Sequence, residues 1–232
     1  MLIVDRLKLE KFRFERKFFI TDCSHRVVES IVKHHPAMFR EIYHPRYNNS
    51  IYLDTPGLTS YNDNLLGLSE RLKTRVRWYG KLFGSIDCAV LELKYKKALT
   101  GTKMKYELAP FNLTDSYSYD YQQEVFALSA LPGAIQEYLR TLQPTILIRY
   151  HRKYYESADH RFRITLDTDI EFYRLRPRGN SFLDRYVDRN SMVMELKCDE
   201  EHGDMIDDVT SRIPFRLTKS SKYISGIDTL YG

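Results

Sequence analysis

Apolar and charged residues alternate at every second position through much of the chain. Over residues 11–20 one parity carries Lys11, Arg13, Glu15 and Lys17. The other carries Phe12, Phe14, Phe18 and Ile20, with Arg16 the exception. Period two sends successive side chains to opposite faces, so the pattern predicts a strand with one apolar and one charged face. Residues 71–79 repeat it, with Arg71, Lys73, Arg75 and Arg77 against Leu72, Thr74, Val76 and Trp78. Residues 89–96 place Glu92, Lys94 and Lys96 against Leu91, Leu93 and Tyr95, and residues 103–108 place Lys103, Lys105 and Glu107 against Met104, Tyr106 and Leu108. In residues 161–167 and 192–198 the polar rows are Arg161, Arg163, Thr165, Asp167 and then Val193, Glu195, Lys197. Residues 50–54 and 145–156 read as two further strands. In the second, Arg149 and Arg152 have opposite parity and cannot share a face without a bulge.

Helices fill the intervals. Asp22 or Ser24 can cap a helix that runs to Lys33 and stops near Pro36. Residues 59–66 follow Pro56-Gly57, while residues 120–131 and 134–142 are parted by Pro132-Gly133. Residues 204–212 end before Pro214, and residues 220–231 close the chain. The turn at residues 98–102 joins two charged strands as a hairpin. About eight strands with a few helices predict one antiparallel α+β domain spanning residues 1–232, since no linker, repeat or low-complexity segment divides it.

Composition narrows the class. Of 232 residues, 43% are hydrophobic and 13% aromatic, 18 of them Tyr, which supports a packed core and excludes a disordered chain. Cys23, Cys88 and Cys198 match no zinc spacing and suit free thiols in a reducing cytoplasm. No apolar run nears the roughly 20 residues of a spanning helix, and the first ten residues lack a signal-peptide core. The expected location is therefore cytoplasmic.

The net charge of +5 says less than its placement. If helices cover the apolar faces, the charged rows point into a closed barrel. A row such as Arg71, Lys73, Arg75 and Arg77 is costly when empty and favourable around a polyanion. Arginine offers forked donors to phosphate oxygens and lysine adds point charge. Interspersed carboxylates supply hard oxygens for Mg²⁺ or Mn²⁺. Nucleic acid is not an expected partner, because bases require exposed aromatics rather than buried rows of charge. Thr100-Gly101-Thr102-Lys103 lacks the spacing of a P-loop and reads as a turn. His34-His35 is expected exposed, His151 packed or on the surface, Cys198 an inert core thiol, and the acidic run at residues 199–201 a solvated loop.

The strand Arg13-Phe14-Glu15-Arg16-Lys17 resembles the first strand of the triphosphate tunnel metalloenzymes of the CYTH-like superfamily, whose signature is Glu-x-Glu-x-Lys. Arg13 stands where the first Glu would be. Ser50-Ile51-Tyr52-Leu53-Asp54-Thr55, Arg75-Val76-Arg77-Trp78-Tyr79-Gly80, Leu91-Glu92-Leu93-Lys94, Arg163-Ile164-Thr165-Leu166-Asp167, Met194-Glu195-Leu196-Lys197 and Ser221-Lys222-Tyr223 follow in order. This set is most similar to the VTC domain, the polyphosphate polymerase domain of vacuolar transporter chaperones.

The resemblance implies an eight-stranded antiparallel β-barrel, the triphosphate tunnel, with helices packed outside. It implies catalytic Arg75, Arg77, Lys94 and Arg163. The phosphate-binding set adds Lys17, Lys105, Arg152, Lys197 and Lys222, with Lys103 sharing the parity of Lys105 and Arg149 the alternative to Arg152. Glu195 and Glu15 would hold Mn²⁺ or Mg²⁺. The implied reaction moves a phosphoryl group from a nucleoside triphosphate to a growing inorganic polyphosphate chain. A non-catalytic polyphosphate or inositol polyphosphate sensor and a triphosphatase are the alternatives. Arg13 in place of Glu weighs against the hydrolase. A membrane-protein partner could hold the domain at the inner face of a membrane; the oligomeric state is left open.

Overall fold

A computed structural model describes residues 13–98 and 100–232. The first strand, β1 (Arg13–Ile20), has the predicted faces: Phe18 and Ile20 are buried, while Glu15 and Lys17 point the other way. Positions 11 and 12 of the expected strand lie outside the described residues. Then come α1 (His25–Lys33), capped by Ser24, whose side chain accepts from the Val27 amide, and β2 (Arg40–Asp54). Next are α2 (Thr59–Leu65), β3 (Glu70–Tyr79), β4 (Gly84–Ile86), β5 (Val90–Lys97), β6 (Thr100–Glu107) and β7 (Phe111–Leu113). The helices α3 (Tyr119–Leu128) and α4 (Gly133–Arg140) precede β8 (Gln143–Glu156), β9 (Phe162–Arg174), β10 (Arg185–Asp188) and β11 (Met192–Asp199). A 3₁₀ turn, Glu200–Met205, leads into α5 (Ile206–Ser211), and α6 (Lys222–Tyr231) ends the chain.

Eight strands close on themselves. In spatial order β9, β11, β1, β6, β5, β3, β2 and β8 are antiparallel neighbours, and β8 pairs back onto β9. The β10 strand extends the sheet beside β9, and β4 with β7 forms a separate pair. Among the described residues the seam between β1 and β6 comprises Arg13↔Gly101 and Phe14↔Thr100. Farther along β1, the Thr218 amide donates to the Lys17 carbonyl at 2.8 Å and Phe18 bridges Leu217, so this segment takes the place of a strand there.

The alternation decides what covers each face. Outward residues of β2, β3, β5 and β6, including Ile51, Val76, Leu91 and Met104, pack with Val125, Phe126, Ile135 and Leu139 of α3 and α4. Outward residues of β1, β9 and β11, including Phe18, Ile164 and Leu196, pack with Val28 and Val32 of α1 and Ile206 of α5. A third cluster lies on the inner face: Ile146, Ile148, Ile170, Phe172 and Val193 meet Tyr223 and Ile227 of α6, which closes one end of the ring. Burial of such side chains stabilises by about 1.5–3 kcal/mol each. Asp54, fully buried, anchors this end by accepting from the Ser60 and Tyr61 amides and, at 2.6 Å, from the Tyr223 hydroxyl.

Several expectations change. The strand expected at residues 50–54 begins ten residues earlier, because the stretch containing Tyr43 and Pro45 pairs with β8 through register shifts rather than regular alternation. The short strands β4, β7 and β10 were not expected. The β5–β6 hairpin is tighter than residues 98–102, since Lys97 pairs directly with Thr100. The two helices are parted as expected, but α3 already ends at Leu128, and Pro132 serves as the N-cap of α4 with Gly133 its first residue. The acidic run at 199–201 enters the 3₁₀ turn rather than a loop. His35 is buried, not exposed: its ring accepts from the Ala37 amide and lies 3.0 Å from the Val209 carbonyl. Cys198 is a buried thiol that burial pushes up to about 11, so it stays protonated and inert.

Candidate functional site

The inner faces of the ring enclose a cavity of about 320 Å³. Among the described residues eleven Lys and Arg side chains line it, with Glu195 the lining carboxylate. Period two places them: Lys17 on β1, Lys73, Arg75 and Arg77 on β3, Lys94 on β5, Lys103 on β6, and Lys197 on β11 all take the parity opposite the buried core. Register then sets them side by side. Lys73 faces Lys94 and Lys94 faces Lys103 across adjacent strands. Like charges set directly opposite one another on neighbouring strands destabilise the empty pair.

Four carboxylates partly offset that repulsion. The buried Glu92 accepts from Arg75 Nη2 at 2.6 Å and Nε at 2.8 Å, and lies 3.5 Å from Arg77 and 3.8 Å from Lys103. Glu15 accepts from Lys94 at 2.9 Å, with Lys197 at 3.4 Å and Lys17 at 3.9 Å. Glu195 meets Lys197 at 2.6 Å, Lys17 at 3.3 Å and Arg152 at 3.8 Å. Asp167, fully buried, accepts from Arg152 Nε and Nη2 and lies 2.5 Å from Lys222 Nζ. Burial alone would raise these carboxyls, but Lys17 and Lys94 around Glu15, and Lys197, Lys17 and Arg152 around Glu195, hold them well below the usual carboxylate range. All four stay ionised at neutral pH, and the cations still outnumber them.

Of the residues expected at the site, Lys17, Arg75, Arg77, Lys94, Arg152, Arg163, Glu195, Lys197 and Lys222 line the cavity, and Glu15 is bonded to its lysines. Arg163 stands at the rim, 58% exposed, and bonds Glu156 at 3.0 Å. Lys105 is exposed and outside the lining, whereas Lys103 is within it. The extra residue at the β8–β9 register shift lies in β9, so alternation through β8 is unbroken and the two candidate arginines face opposite sides. Arg152 enters the cavity; Arg149 stacks 3.9 Å from the Tyr47 ring and faces Glu171. His151 lies against Tyr47 on the outer side, at 5.1 Å between centroids. Arg13, at the position of the family's first Glu, lines the cavity rim and bonds Asp199 at 2.9 Å.

Sequence reading did not assign Lys73, Glu92 or Asp167 a place in the site. Parity marks all three, since each shares a face with an assigned neighbour. Lys73 differs from the other cations: its amine bonds Ser221 Oγ at 2.9 Å rather than a carboxylate. Burial, with Lys17, Lys94 and Arg71 nearby, lowers it to about 6. Tyr52 had no sequence signal for the cavity; its hydroxyl accepts from Arg75 Nη1 at 3.0 Å and its ring stacks on Tyr223 at 5.1 Å.

The donor set can be tested for a divalent cation. Glu15 Oε1 is buried and accepts no hydrogen bond, although lysines surround it. Glu15 and Glu195, tied together by Lys17 and Lys197, are two hard-oxygen donors; among the described residues no group of three or more His, Cys, Asp or Glu side chains could hold a metal, so a divalent cation there would need phosphate oxygens to complete its shell.

Comparison with known proteins agrees with this architecture. The family model described as VTC domain matches residues 12–231. Vacuolar transporter chaperone complex subunit 2 of Saccharomyces cerevisiae is 23% identical over 256 aligned residues, covering 79% of this chain. The chain spans 31% of that relative's length. Among solved structures, a protein from Pyrococcus horikoshii OT3 superposes with a TM-score of 0.52 at 11% identity, covering 94% of this chain and 99% of its own. A putative adenylyl cyclase from Hippeastrum, described as having a dominant triphosphatase activity, gives 0.52 at 11% identity, covering 95% and 96%. At such identities the two structures share the fold.

Proposed function

The chain belongs to the VTC domain family, and from that premise we propose that it transfers phosphoryl groups from a nucleoside triphosphate to a growing inorganic polyphosphate chain held in the cavity. The observation that supports this reading is the surplus of inward cations over carboxylates inside a closed ring. Phosphate oxygens entering the cavity compete with Glu15, Glu92 and Glu195 for Lys and Arg donors already desolvated and aimed. Little reorganisation is then needed at the moment of reaction.

Phosphoryl transfer asks mainly for alignment and charge neutralisation. Arg75, Arg77, Arg152 and Arg163 take the phosphates, while Lys17, Lys94, Lys197 and Lys222 neutralise charge along the chain. A terminal oxygen of the polyphosphate attacks the γ-phosphorus, the bond to the β-phosphate oxygen breaks, and the nucleoside diphosphate leaves with that electron pair. Glu15 and Glu195 would hold Mn²⁺ or Mg²⁺, which when bound neutralises phosphate charge. Likeness to a subunit of a chaperone complex supports action within an assembly that includes a membrane protein, at the cytoplasmic face. Among the described residues no helix is long and apolar enough to cross a membrane.

Incubation with ATP and Mn²⁺ tests the reading. Polyphosphate of increasing length together with ADP is expected; ADP with only free phosphate would replace it with a triphosphatase. A second reading is a polyphosphate receptor without turnover. It is favoured by Arg13 at the first family Glu position and by the lysines already seated on Glu15 and Glu195. Tight binding with no nucleotide consumed would establish it.

A further inference from the structure

One group of side chains at the open end of the cavity has no task in holding phosphate. Register places the N-terminal part of β2 beside the C-terminal ends of β3 and β8, at the end of the ring away from α6. There Tyr43 pairs with Tyr154, Arg46 with Arg152, and Asn48 with Tyr79. The Arg46 guanidinium lies 4.2 Å from the Tyr79 ring centroid, 5.0 Å from Tyr154 and 5.7 Å from Tyr43. Tyr43 and Tyr79 are 56% and 48% exposed, and neither joins a hydrophobic core.

These rings are nonetheless part of the cavity. Tyr43, Tyr79 and Tyr154 share its lining with Arg77 and Arg152. The Arg152 guanidinium is 5.9 Å from the Tyr154 ring. A phosphate on Arg152 is thus one side chain away from a set of aromatic rings of which two, Tyr43 and Tyr79, are about half exposed. Inorganic phosphate has nothing to stack on them. A nucleobase does, and stacking between aromatic rings and beside a guanidinium tolerates any base.

We propose that Tyr43, Arg46 and Tyr79 form a stacking platform for the base of a nucleoside triphosphate whose phosphates lie on Arg77 and Arg152. This inference rests on the phosphate-binding reading of the cavity. It assigns the nucleoside to the open end, so the phosphates point towards α6. Because the platform offers flat faces rather than an array of side-chain amides, it favours purines over pyrimidines by stacking area and discriminates weakly between adenine and guanine.

Calorimetric titration of ATP and of inorganic tripolyphosphate into the wild-type protein, Tyr79→Leu, Tyr43→Leu and Tyr79→Phe separates the possibilities. The Leu variants should weaken ATP by about tenfold or more, the scale of one lost base stack. Tripolyphosphate should stay within about twofold, and Tyr79→Phe should retain ATP affinity, because these measurements isolate the base. If wild type binds both ligands and the Leu variants leave the ATP-to-tripolyphosphate ratio unchanged, the platform is overturned while the phosphate site stands. If wild type binds neither, the phosphate reading itself falls and the platform with it.

Discussion

Lys73 is the cation whose state depends most on what fills the cavity. With its amine on Ser221 Oγ and lowered to about 6, it is mostly neutral at pH 8 in the empty site. A bound polyanion favours the charged form, so binding takes up a proton between pH 6 and the ordinary lysine range. The bound state holds more protons, hence affinity falls as pH rises through that window. We predict that tripolyphosphate affinity drops between pH 7 and 9 more steeply in wild type than in Lys73→Met, by up to about tenfold per pH unit. Parallel profiles in the two proteins, measured by titration calorimetry, would show that Lys73 does not gain the proton. The ligand's own ionisation is common to both and cancels. That role could not be read from residues 71–77, because alternation reveals a face but not which cation on it lacks a carboxylate.

At the scale of elements, α6 decides whether the ring has a closed end. A Cβ on Gly226 would meet Ile146 Cδ1 at 2.5 Å and Phe172 Cδ1 at 2.6 Å, so only glycine lets the helix approach these strands. Gly226→Ala should lower stability by about 1–3 kcal/mol through overpacking, read as a lower urea midpoint. Tyr223→Phe removes a donor from the fully buried Asp54 and should cost about 1–3 kcal/mol by the same measurement. Unchanged midpoints would mean that α6 is not seated as described. Elements with clean alternation, such as β3 and β5, were legible because one face packs on helices and the other on charge. The long β2 was legible only near Ser50–Asp54. Its first half pairs irregularly and presents exposed residues on both faces, so no period marks it. The α6 sequence shows a helix but not its task, since packing against Ile146 and Phe172 joins residues far apart in the chain.

For the whole molecule, the balance between stability and function lies in the charged interior. Glu15, Glu92, Glu195 and Asp167 are all held low by neighbouring cations despite burial. A depressed carboxylate stabilises the fold above its unfolded value and loses that contribution as pH falls through the folded one. Stability should therefore decline steeply below about pH 4, where unfolded carboxylates begin to gain protons. A urea midpoint that stays flat from pH 5 to 3 would contradict the network. The ring and its polarity were legible because six segments shared one alternation. The pairing of each carboxylate was not, since Glu92 meets Arg75 across neighbouring strands and Asp167 meets Lys222 from the far end of the chain.

If the surplus of inward charge serves to hold a chain of phosphates, titration of inorganic tripolyphosphate into the wild-type protein and Arg75→Ala, with circular dichroism confirming that both are folded, will separate the two proteins. The wild type should bind one chain per molecule, weakened by added salt, and Arg75→Ala should show no measurable binding. Absence of binding to the wild type, or equal binding to both proteins, would contradict that role.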